Sequence, residues 1–123
     1  MQAHAQRWIF IAIIYFIIGV LLGLGMGISN DHRLYGAHAH INLLGWLSMV
    51  ATGVIYHFFP NAGQSRLATI HFWFYNIGLP AMMIGLAGKL LGHEALEPVL
   101  GIGSLLVGIG VLLFGINVLS KRS

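Results

Sequence analysis

Two histidines, His38 and His40, stand inside Tyr35-Gly-Ala-His-Ala-His-Ile-Asn-Leu-Leu-Gly-Trp46, a stretch otherwise apolar enough to lie in a bilayer. An ionisable side chain at membrane depth costs free energy, so such residues mark functional sites by default. Neutral imidazole is a good ligand for transition metals and for haem iron. The spacing sets how it can be used. At about 100° per residue, helical positions two apart leave in directions roughly 160° apart. The two rings cannot grip one ion together, but they can serve two sites, one on each side of the same helix.

The neighbours of the pair suit a large flat ligand. His40 shares its helical face with Leu44, Leu47 and Ala51, an aliphatic wall containing a small residue. His38 shares its face with Asn42, Gly45, Thr52 and Tyr56, which offer gaps and hydrogen-bonding groups. His38 and His40 are thus the expected metal ligands, with Asn42, Leu44, Gly45, Leu47 and Ala51 lining the cofactor. Zinc wants several donors around one point, which a diverging pair does not give. Copper shares the donor type and is the lesser alternative to haem. The chain has no cysteine, which excludes disulfides, thiolate sites, iron–sulfur clusters and C-x-x-C-H attachment. The expected cofactor is therefore non-covalent haem b.

Five further histidines read more plainly. His4 and His32 fall near helix ends, and His93 in a short loop beside Glu94. His57 closes one helix and His71 opens the next; hydrogen bonds to loop carbonyls are the simpler reading for both, and a second metal site the sharper one.

Composition dictates the elements that must carry these side chains. Of 123 residues, 58% are hydrophobic and 7% charged, which fits a membrane protein and no soluble domain of this size. The runs Trp8 to Ile28, Ala39 to Phe59, Ile70 to Gly88 and Val99 to Leu119 hold no Asp, Glu, Lys or Arg. Each covers about 28–32 Å as a helix, matching a hydrocarbon core of roughly 30 Å. The fold expected is all-α, one four-helix transmembrane domain over residues 1–123, with helices near 7–28, 32–59, 67–91 and 97–119. Strand alternation is absent, which argues against a barrel. The first run is too long for a signal-peptide core and reads as a retained helix.

Local signals set the helix ends. Ser29-Asn30-Asp31 offers N-cap candidates for the second helix. Pro60-Asn61-Ala62-Gly63 ends it and turns the chain. Pro80 kinks the third helix and frees the carbonyl of Asn76. Gly92 ends that helix, and Pro98 suits the first turn of the fourth. Gly19, Gly23 and Gly27 recur every four residues, and Gly101, Gly108 and Gly115 every seven. Small residues at such intervals let helices approach in lipid, and packing is the role expected of both sets.

The cations lie singly at helix ends, a pattern of topology and not of nucleic-acid binding. Arg7, Arg66, Lys121 and Arg122 fall on one side, and Arg33 and Lys89 on the other. The bias puts both termini in the cytoplasm and the histidine pair toward the outer leaflet.

Three segments in order, Ala37-His-Ala-His-Ile, Ile55-Tyr-His-Phe-Phe-Pro60 and Ile70-His-Phe-Trp-Phe-Tyr-Asn-Ile-Gly78, resemble the tenth and eleventh helices of haem–copper oxidase subunit I. The resemblance implies that His38 corresponds to the high-spin haem ligand and His40 to the low-spin haem ligand. It implies an inner-membrane protein of a prokaryote, multi-pass, built like one four-helix arc of a twelve-helix subunit arranged in three arcs. The family's copper-binding His-His pair and its further ligand helix have no counterpart here, so oxygen or nitric oxide reduction is not expected. A homotrimer would rebuild the twelve-helix plan, with His40 of one protomer and His38 of the next facing one pore. A homodimer pairing His40 with its copy is the alternative. The expected function is b-type haem binding for electron transfer or diatomic gas binding, with a redox partner or quinol as partner. The competing expectation is a cofactor-free membrane scaffold or assembly factor related to respiratory oxidases.

Overall fold

In the computed structural model, which describes residues 1–121, the apolar runs form four helices long and apolar enough to cross a membrane: α1 (Ala3–Ser29), α2 (Tyr35–Phe58), α3 (Arg66–Leu90) and α4 (Glu97–Ser120). The cation expected at Arg122 lies outside the described residues. Among the described residues there is no strand. Large apolar side chains such as Phe10, Ile14, Leu21 and Leu24 are exposed along α1. In a bilayer that surface meets lipid at no cost.

The turns follow local chemistry, with one departure from expectation. Asn30 ends α1 in the left-handed conformation at φ 57°, a position that asparagine tolerates. Asp31 does not cap α2. Its carboxylate accepts the backbone N–H of Arg33 at 3.1 Å and pairs with the Arg33 guanidinium at 2.8 Å. Those bonds hold the Asp31 carboxyl down to about 2. With its oxygens spent on the turn, α2 begins at Tyr35, later than the expected His32, and its N-cap Leu34 gives no side-chain bond. His38 and His40 accordingly lie only about one to one and a half turns inside the helix. The other ends match the signals: Pro60–Gly63 forms a helical turn, Ser65 caps α3 by accepting from Ala68 N–H, Gly92 stands at φ 89°, and Pro98 sits in the first turn of α4.

Between Ile41 and Leu47, directly after His40, α2 widens into a π-helix. The wider turn carries burial every four residues, at Ala37, Ile41, Gly45 and Met49, before Thr52, Gly53 and Tyr56 continue it. It also moves the faces. Leu47 and Ala51, expected beside His40, fall on an exposed row with Tyr35, Ala39 and Leu43.

The chain packs as two hairpins, α1 against α2 and α3 against α4. Gly19 and Gly23 receive Asn42 and His38, as their spacing suggested, whereas Gly27 meets nothing within 4 Å. In α4 the expected glycines are the wrong ones. Gly101, Gly108 and Gly115 face open space; Gly103 packs on the Met82 and Gly78 backbone of α3, and Gly85 of α3 packs on Leu100.

The hairpins meet where the start of α2 packs on the end of α3, Leu90 lying over Gly36, and most extensively at the end that carries the termini. Trp8 stacks on His71 at 4.6 Å, with Phe72 and Tyr75 edge-on to it, and Phe114 closes on Tyr56 and His71. Asn117, fully buried, donates to Ala62 O at 2.9 Å and accepts from Ser65 Oγ at 3.0 Å. Gln64 donates to Gln2 at 3.0 Å and ties the chain start to the α2–α3 turn.

Candidate functional site

His38 lies in the seam between α1 and α2. Its Nδ1–H donates to the carbonyl of Gly19 at 2.8 Å, and its ring lies so close to Gly23 that a Cβ there would be 2.7 Å from Cε1. A carbonyl only accepts, so the proton is on Nδ1 and the lone pair on Nε2. The amide nitrogen of Asn42 stands 3.4 Å from both ring nitrogens, at the long limit of a hydrogen bond. Asn42 itself is held against Gly19.

His40 is anchored differently and ends in the same tautomer. Its Nδ1–H donates to the carbonyl of Gly36, one turn back in its own helix, at 2.7 Å. Its Nε2 has no hydrogen-bond partner among the described residues. Both imidazoles, half-buried, are thus pinned at Nδ1 by a glycine carbonyl and present Nε2 as the donor atom. Metal-bound histidines are oriented by the same device.

The remaining expected residues divide. Leu44 is half-buried, and its carbonyl, inside the π-helix, accepts the Tyr75 hydroxyl at 2.7 Å. Gly45 is buried because the Tyr15 ring lies across it, where a Cβ would meet Cγ at 2.5 Å. Leu47 and Ala51 are exposed and touch neither ring's anchor. Within one chain His38 and His40 are not brought together. Among the described residues no three His, Cys, Asp or Glu side chains gather around a point.

The other histidines hold one surprise. His57 is exposed beside Phe58, and His32 and His93 are exposed in their loops. His4 Nε2 lies 3.5 Å from Tyr56 O. His71 is 1% exposed, and a 2.8 Å hydrogen bond joins its Nδ1 to the Tyr56 hydroxyl; a side chain, not a loop carbonyl, satisfies it. His57 and His71 therefore share no site. His71, Tyr75 and Thr52 line a cavity of about 240 Å³ between α2, α3 and α4. Nothing in the local sequence announces this cluster, because Trp8, Tyr56 and His71 come from three different helices. No family model, curated protein or solved structure matches the chain.

Proposed function

We propose that this is a membrane b-type haem protein in which His38 and His40 supply axial ligands at contacts between protomers. The observation that carries the reading is the shared tautomer: both rings spend Nδ1–H on a glycine carbonyl and hold their lone pair on Nε2, which on His38 meets only the long 3.4 Å contact from the Asn42 amide. The donor chemistry fits haem, which needs one imidazole from each side and no chelating cluster. When bound, haem supplies one-electron chemistry or, with an open axial position, binds a diatomic gas. The protein's own share is to fix the rings, exclude water in the bilayer and bring in the second imidazole from a copy.

The reading keeps the resemblance to one arc of haem–copper oxidase subunit I, with a closed homotrimer as the assembly and a twofold dimer as its rival. It puts both termini in the cytoplasm of a prokaryote and electron transfer, not oxygen reduction, as the activity. A second reading, a cofactor-free scaffold, draws on one observation. The wedge of His38 between Gly19 and Gly23, with its bond to Gly19 O, is a sufficient structural use of that side chain.

The two are separated by replacing each histidine in protein purified from haem-replete cells. Haem ligation requires that both His38→Ala and His40→Ala convert a low-spin absorption spectrum to high-spin or lose the pigment. If only His40→Ala does so, the twofold His40–His40 dimer stands instead. If neither variant changes the spectrum, the ligands are wrong.

A further inference from the structure

A second site lies in the groove that separates α1 from α3. Ile11, Ile14 and Ile18 of α1 face Trp73, Met83 and Ile84 of α3 across a cavity of about 620 Å³. Ile14, Ile18, Trp73 and Ile84 are exposed, so the groove opens sideways onto lipid. Acyl tails alone would satisfy such walls. The charge at the head of the groove calls for more.

Arg7 shares the helical face of Ile11, Ile14 and Ile18, and the uncharged run of α1 begins directly after it at Trp8. Its guanidinium carbon lies 3.8 Å from the centre of the Phe72 ring, which itself lines the groove. An aromatic face attracts the cation without neutralising it. Arg7 Nε is buried with no hydrogen-bond partner. Among the described residues Arg7 forms no ion pair, and the three side-chain carboxylates, Asp31, Glu94 and Glu97, all stand at the opposite end. Arg66, two helical turns before Trp73 and exposed, heads the α3 wall in the same way. A half-buried guanidinium without a counter-anion is costly, and phosphate is an anion that its planar fork fits.

We infer that the groove holds an anionic phospholipid, with its phosphate on Arg7 and one acyl chain lying between α1 and α3. The depth agrees. From Arg7 to Ile18 is eleven residues, about 16 Å, close to one leaflet of a hydrocarbon core of roughly 30 Å. The charge agrees as well, because Arg7 and Arg66 together favour a headgroup of net negative charge over a zwitterionic one. This binding needs no haem and stands apart from the function proposed above.

The test is photolabelling of the full chain in phosphatidylcholine nanodiscs that carry a trace of either phosphatidylglycerol or phosphatidylcholine with a diazirine on one acyl chain. Mapped by mass spectrometry, label is expected on residues 11–18 and 72–84. Phosphatidylglycerol should give about fivefold more of it or better, since one cation near the membrane surface is worth about that factor. Arg7→Gln should lower the phosphatidylglycerol signal about fivefold, whereas Lys89→Gln, the same charge change at the other end, should leave it. Raising KCl from about 0.1 M to about 1 M should shrink the preference in the unaltered chain, and this arm decides if Arg7→Gln fails to fold. Equal labelling by the two lipids or preferential labelling outside the groove overturns the inference. So does a preference that survives Arg7→Gln or, where that variant does not fold, survives about 1 M KCl.

Discussion

Adding one methyl group at Gly23 should disorganise His38 while the same change two residues later should not. A Cβ at Gly23 would stand 2.7 Å from His38 Cε1 and 3.3 Å from both ring nitrogens. Ordinary contact begins near 3.4 Å, so the ring must retreat about 0.7 Å, enough to break a 2.8 Å hydrogen bond to Gly19 O if the shift lies along it. Overpacking costs about 1–3 kcal/mol and the lost bond about 1 kcal/mol, offset by about 1 kcal/mol of helix propensity. Gly25→Ala meets nothing within 4 Å and receives only the propensity gain. The two variants should therefore differ by about 2–4 kcal/mol, or roughly 30- to 1,000-fold in the folding equilibrium. SDS titration in mixed micelles, followed by circular dichroism, measures the gap. Nitrogen-15 spectra of labelled histidine should show the Nδ1–H tautomer of His38 lost in Gly23→Ala alone. Equal unfolding midpoints with an unchanged His38 signal would refute the anchoring argument.

Three further outcomes follow from the same geometry. Tyr56→Phe leaves buried His71 Nδ1 without its partner and should cost about 1–3 kcal/mol in the same titration, while a double-mutant cycle with His71→Phe should return a coupling of about 1 kcal/mol. Trp8→Ala should cost about 3–5 kcal/mol by emptying the junction, whereas Trp8→Phe should cost much less, because the Trp8 indole N–H is buried without a partner and its removal is no loss. The Asp31 carboxyl should titrate near 2 by carbon-13 NMR and return toward 3.8 in Arg33→Ala; because the folded value is depressed, its contribution is present above 3.8 and fades as pH falls toward 2.

The four long helices were legible because each grows from an uncharged apolar run of membrane-crossing length, and Pro60, Gly92 and Pro98 marked their ends by covalent properties that tertiary structure does not override. Asp31 misled because an N-cap and a loop ion pair ask for the same residue; the guanidinium of Arg33, two residues on, took its oxygens. The π-helix was invisible for a different reason. Two of the contacts at its centre come from elsewhere in the chain: the Tyr15 ring on Gly45 and the Tyr75 hydroxyl on the Leu44 carbonyl. Its extra residue then shifted Leu47 and Ala51 out of the expected wall. The glycines of α4 show the same limit, since residues 101, 108 and 115 and residues 103 and 110 both form spaced small positions, and spacing alone does not say which set meets α3. For the candidate site, the sequence revealed which histidines lie in one helix and that they diverge. The tautomer was set by Gly19 and Gly36 carbonyls, which only the fold supplies.

Haem ligation by His38 and His40 is read out by the absorption spectrum of the purified protein, oxidised and then reduced with dithionite, with the pigment identified as a pyridine haemochrome. A Soret band with sharp reduced α and β bands is expected, with a haem b haemochrome that acid-acetone extracts from the polypeptide. A colourless protein that stays colourless after reconstitution with haemin would contradict it.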